Sequence, residues 1–81
     1  MKVRVQLFAV ARQAAGQEAV ELELPDGATV AALRERLAAQ VPQCSAMLSR
    51  MMIAINAEYA ADSAVVPPEA DVACIPPVSG G

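Results

Sequence analysis

The residues best placed to do chemistry stand at the end of the sequence, in Pro76-Pro77-Val78-Ser79-Gly80-Gly81. With Gly81 read as the terminus, its α-carboxylate is the reactive group. Two residues without side chains make a thin tip, able to pass close to another surface. The prolines before them fix φ and favour an extended exit from the folded part. A carboxylate is a poor electrophile at neutral pH, because it is charged and its oxygen leaves badly. Coupling to AMP removes the charge and supplies a leaving group. A sulfur nucleophile can then displace AMP and leave a thiocarboxylate, which is itself a good sulfur nucleophile. The tail thus reads as a stiff stem presenting one acyl group that other proteins charge and unload. The two glycines alone also allow an inert chain end.

The remaining composition supplies no catalyst. The sequence has no His, so no nucleophile–His pair exists. It has no Gly-rich phosphate loop and no metal-ligand spacing. Its carboxylates are scattered over wet strand faces and turns. No catalytic residue and no bound cofactor is expected, and an ATP-using partner must activate the tail. Cys44 and Cys74 lie far apart and read as buried small apolar residues rather than a disulfide. A chain of 81 residues is one domain. Its 56% hydrophobic content excludes disorder. Its net charge of −3 argues against nucleic acid as a partner. No apolar run approaches the roughly 20 residues of a membrane span. Met1-Lys2-Val3-Arg4-Val5 alternates like a strand, not like a signal peptide, so a cytoplasmic location is expected.

Several elements must position the tail. Val3, Val5 and Leu7 alternate with Lys2, Arg4 and Gln6, giving a half-buried strand. Phe8 falls on the wet side of that alternation. Either it turns inward after the strand or it is an exposed contact. Ala9 to Gln17 is a connection with room for a helical turn, closed by Gly16, and Arg12 within it reads as solvated. Val20, Leu22 and Leu24 alternate with Glu21 and Glu23 in a second strand, antiparallel to the first. Pro25-Asp26-Gly27 is a turn, and Thr29 is placed to cap a helix. Val30, Leu33, Leu37 and Val41 recur at helical spacing, predicting an amphipathic helix over 30–40 that ends before Pro42. Arg34, Glu35 and Arg36 lie off that stripe. Residues 43–49 allow a short further turn of helix. Met51 to Ile55 is apolar nearly throughout, predicting a central third strand. Asn56-Ala57-Glu58-Tyr59 reads as a turn, with Tyr59 either capping the core or exposed. Residues 60–70 read as irregular because of Pro67-Pro68. Residues 71–75 form the last strand, with Val72 and Cys74 on one face and Ala73 and Ile75 on the other. The order strand, strand, helix, strand, strand describes an α+β domain, one main helix packed on one face of a mixed sheet.

The ending Val72-Ala73-Cys74-Ile75-Pro76-Pro77-Val78-Ser79-Gly80-Gly81 resembles that of the small subunit of molybdopterin synthase, a ubiquitin-like sulfur carrier with the β-grasp fold. Phe8-Ala9 with Arg12 and Gly16, Ala32-Leu33-Arg34 and Ala54-Ile55-Asn56 fall in the family's order, so the resemblance covers nearly the whole chain. It implies a β-grasp domain over 1–77 and a flexible Gly-Gly tail over 78–81. It implies that a ubiquitin-activating-type adenylyltransferase attaches AMP to Gly81, transiently, as an acyl-adenylate, before the thiocarboxylate forms. It implies that Val78, Ser79, Gly80 and Gly81 enter the large catalytic subunit, where sulfur passes to cyclic pyranopterin monophosphate. Phe8, Arg12, Tyr59 and Ile75 are the partner contacts it implies, within a heterotetramer. The chain departs from the family at Pro68-Glu69-Ala70-Asp71, where a Gly-Asp-Glu type turn is usual, and at Ile75, where an aromatic is common. A sulfur carrier for thiamine or another pathway, a ubiquitin-like protein modifier and a plain binding module are the alternatives. Pro76-Pro77 and the chain length favour the molybdopterin branch over the thiamine one.

Overall fold

A computed structural model describes residues 1–77. Strand β1 (Lys2–Leu7) pairs antiparallel with β2 (Ala19–Glu23), with Val3 opposite Leu22 and Val5 opposite Val20. Their apolar residues point to one face, as the alternation requires. Pro25 to Gly27 turns the chain, with Gly27 at φ 83° and the Ala28 N–H donating to Pro25 O. Helix α2 runs Val30–Gln40, and the Thr29 hydroxyl accepts from the Ala32 N–H at 3.3 Å. Val30, Leu33 and Leu37 are fully buried against the sheet. Each such side chain stabilises the fold by about 1.5–3 kcal/mol.

Two elements are fuller than the sequence suggests. Residues 9–17 are not a loose connection: Ala9–Ala15 forms helix α1, ended by Gly16 in the left-handed region. Ala11 is its one fully buried residue, so an Ala-rich run hides the apolar stripe that would have announced it. After β3 (Met52–Ile55), Asn56 and Ala57 both have positive φ, as a type I′ hairpin turn requires, and β4 (Glu58–Tyr59) pairs back on β3. Ala stands where Gly is favoured, so this hairpin carries no sequence signature. It adds a fifth strand where only a turn was expected.

The sheet order is β2-β1-β5-β3-β4, with β5 (Val72–Ile75) parallel to β1 and antiparallel to β3. The central strand is therefore β5, not the third strand as its apolar run suggested. This mixed sheet with α2 on one face is the β-grasp arrangement. Pro42–Cys44 forms a 3-10 turn and Ser45–Leu48 a short helix α3, closing the core beside α2. Residues 60–71 form no further strand beyond a single bridge, Thr29 to Val65. They are strapped over the start of α2, where the N–H of Val30 donates to Ala64 O at 2.9 Å and that of Val66 to Ala28 O at 2.8 Å. Arg34 clamps the same region. Its guanidinium donates to Leu48 O at 2.5 Å, Met51 O at 2.7 Å and the Asp62 carboxylate at 2.8 Å. No helix among the described residues is long and apolar enough to cross a membrane.

Cys44 and Cys74 are free and buried, as read from the sequence. The Cys44 thiol donates to Ala11 O at 3.5 Å. Burial pushes both thiols up, Cys74 from 9.0 to about 11 against the opposing pull of the Arg34 charge. The folded state therefore holds the Cys74 proton more tightly than the unfolded state does. That contribution is complete below pH 9 and is lost as pH rises from there through about 11. Urea melts should lose about 2–3 kcal/mol across that window. Cys74→Ala should flatten the slope, and an unchanged slope in that variant would contradict this assignment.

Candidate functional site

Strands β1 and β5 run in the same direction and finish at the same end of the sheet. The register pairs Leu7 with Cys74, and the Phe8 N–H continues the ladder to Cys74 O at 3.2 Å. Phe8 and Ile75 are therefore neighbours on adjacent strands at the point where the chain passes into Pro76 and Pro77. Phe8 is extended, at φ −121° and ψ 152°, and 43% exposed. Of its two sequence readings, the outward one holds. Ala9 then takes φ 52°, turning the chain into α1. A left-handed Ala costs about 1–2 kcal/mol, and the turn leaves Phe8 on the helix-free side of the sheet.

Ile75 is half-buried on that same side, with Met52 opposite it in the β3–β5 register. Ala54 lies between Ala73 on β5 and Tyr59 on β4, and Tyr59 is 59% exposed. Phe8, Tyr59 and Ile75 line one groove of about 450 Å³, floored by Ala54 and Ala73. The two alanines make this groove: small residues at its centre let the larger ones stand as walls. Met52 was missed by sequence reasoning. Met51 to Ile55 is apolar at both parities, so no alternation marked which residues face away from α2. The register beside Ile75 supplies that information.

Arg12 stands on α1 at the margin of this face. Its backbone carbonyl accepts from the Gly16 N–H at 2.9 Å, and its side chain forms an ion pair with Glu18 at 2.7 Å. The structure thus brings Phe8, Tyr59 and Ile75 to one surface, with Arg12 beside them. Val78, Ser79, Gly80 and Gly81 lie outside the described residues.

The described residues thus form a groove walled by Phe8, Tyr59 and Ile75 and lined also by Arg4, Gln6 and Asp71, beside Pro76 and Pro77, with the Arg12–Glu18 pair at its edge. The model of the ThiS family matches residues 5–81. The chain belongs to that family. It is 36% identical to the molybdopterin synthase sulfur carrier subunit of Arabidopsis thaliana, over 100% of this chain and 84% of that protein. A Pyrococcus furiosus structure, provisionally named molybdopterin converting factor subunit 1, has 30% identity and a TM-score of 0.85 over 96% of this chain and 99% of its own. SAMP1 of Haloferax volcanii superposes with a TM-score of 0.88 at 25% identity, over 100% of both chains. The span matched to the ThiS family takes in Phe8, Arg12, Tyr59, Ile75 and the Gly80-Gly81 ending.

Proposed function

We propose that this chain is the sulfur-carrier small subunit of molybdopterin synthase and works through a thiocarboxylate at Gly81. The observation that carries this reading is the likeness to the Arabidopsis sulfur carrier subunit over the whole of this chain and 84% of that protein. The ending Gly80-Gly81, after a strand and two prolines, supports it independently on chemical grounds. An ATP-dependent adenylyltransferase of the ubiquitin-activating type couples the Gly81 carboxylate to AMP and releases pyrophosphate. A hydrosulfide equivalent from a sulfur donor attacks the acyl carbon. The C–S bond forms, the bond to the AMP oxygen breaks, and AMP leaves. Residues 78–81 then enter the large catalytic subunit, where the sulfur passes to cyclic pyranopterin monophosphate and water restores the carboxylate.

In this reading Phe8, Arg12, Tyr59 and Ile75 form the docking face for the large subunit, in a cytoplasmic heterotetramer. The groove supports that assignment because it opens beside the root of the tail. This chain contributes no catalytic residue and holds a nucleotide only as its own acyl-adenylate. A second reading, a modifier joined to lysines of other proteins, is supported by the superposition on SAMP1, whose name is small archaeal modifier protein 1. Intact-mass measurement separates the two. Incubation with the activating enzyme, ATP and a sulfur donor should add the mass of one sulfur-for-oxygen exchange, located at Gly81. A chain that stays unmodified would defeat the carrier reading. Adducts of this chain on lysines of other proteins, without a thiocarboxylate, would favour the modifier.

A further inference from the structure

The exposed Arg12 side chain is tied to the fold through an ion pair whose two backbones are both fixed. Its backbone is fixed by the α1 cap, where Gly16 donates to Arg12 O at 2.9 Å. The backbone of Glu18 is fixed by the sheet, where the Leu7 N–H donates to Glu18 O at 2.8 Å. Between these two anchors, Arg12 Nη2 donates to Glu18 Oε1 at 2.7 Å. The side chains are 56% and 76% exposed, and an ion pair so exposed contributes little to stability. Opposite charges do not pair everywhere on this face. Arg4 and Glu21 are direct cross-strand partners, yet no ion pair joins them. A cleft lined by Arg4, Gln6, Phe8, Arg12, Glu18 and Ala19 runs from the pair to the groove, and Arg4, Gln6 and Phe8 line both. A guanidinium has five N–H donors in a planar fork. Glu18 engages one of its nitrogens and leaves the others to meet an incoming acceptor.

We propose that Glu18 is a positioning residue for partner docking: it holds the Arg12 guanidinium beside Phe8, so that the unengaged edge of the fork meets a hydrogen-bond acceptor on the large subunit. This rests on the docking role proposed above. A solvated Arg loses rotamer freedom when it is immobilised at an interface, which lowers affinity. Glu18 removes part of that loss before the partner arrives.

The test is a double-mutant cycle on the dissociation constant between the full chain and the large subunit of molybdopterin synthase, with Tm measured on every variant. Glu18→Gln should weaken binding about threefold to tenfold, the range expected from ordering one such side chain. Arg12→Gln should weaken it at least as much. The double variant should bind no worse than Arg12→Gln alone, because Glu18 acts through Arg12. Glu23→Gln, at the far end of β2 and away from the pair, removes the same charge and should bind as the unaltered chain does. Tm should move little in all four. Unchanged affinity in Glu18→Gln overturns the proposal. So does an equal loss in Glu23→Gln, which would make net charge the cause. A loss in Glu18→Gln that persists undiminished when residue 12 is Gln, or that follows a falling Tm, overturns it too. If the unaltered chain does not bind the large subunit at all, the docking reading itself fails, and this proposal fails with it.

Discussion

Deleting Gly81 is expected to abolish sulfur transfer while leaving the fold intact. The truncated chain ends in a carboxylate on Gly80, so the chemical group survives. Its position does not: one extended residue spans about 3.3–3.6 Å, and the acyl carbon is withdrawn by that distance from wherever the partner holds its reacting atoms. A misplacement of even about 1 Å can cost 10²-fold in rate. Thiocarboxylate formation, followed by intact mass, should therefore fall by at least about 10²-fold. The core lies elsewhere, in residues such as Leu22, Leu33, Leu37, Ile53 and Cys74, so the thermal transition should stay where it is. Gly81→Ala keeps the reach but adds a Cβ and restricts φ, and should fall between the two. A truncated chain that gains sulfur at the normal rate would show that neither the length nor the identity of the tip matters, and the assignment of the reacting carboxylate to Gly81 would fall.

The parts of this molecule that could be read in its sequence are those where burial imposes a period. Helix α2 was predicted over 30–40, as found, because Val30, Leu33 and Leu37 must meet the sheet and Thr29 must cap the first turn. Strands β1 and β2 were legible because one face is wet; β5 is apolar on both faces, and the two-residue period of a strand alone grouped Val72 with Cys74 and Ala73 with Ile75. Where that contrast is missing, the reading weakens. In α1 alanine serves both faces. In β3 apolar residues occupy both faces, so its place next to the centre and the outward Met52 were hidden. The β3–β4 hairpin turns on Asn56 and Ala57 at positive φ, a conformation that the Ala does not advertise. The groove was legible in fragments. Phe8 and Ile75 fell on the outer parity, but only the parallel β1–β5 register shows that they are neighbours. Long-range pairing of residues some 67 positions apart leaves no local trace in either segment. Arg34 makes the same point. Helical spacing put it off the apolar stripe, but nothing local shows that its guanidinium binds two carbonyls and Asp62.

Phe8 also permits the sharpest separation of docking from stability. It occupies the N-cap of α1, where Ser, Asp or Asn is favoured because a side-chain oxygen can accept from a free backbone N–H. Phe8 makes no such hydrogen bond, and much of its ring stands in solvent. A residue poor at both local tasks is best explained by a third, contact with a partner. Phe8→Ser should therefore cost little in folding: the lost partial burial is offset by a hydroxyl placed to cap. Its effect on association should be large. An aromatic anchor at the centre of an interface typically accounts for about 2–4 kcal/mol, so binding to the large subunit should weaken by about 30-fold to 10³-fold. Tyr59→Ser, across the groove, should weaken binding in the same direction, and Val65→Ser, exposed on the far segment that bridges to Thr29, should not. Calorimetric titration with the large subunit, read beside thermal melts, decides the matter. Affinity that survives Phe8→Ser would move the docking surface off this face of the sheet, and the exposed ring would then lack any physical account.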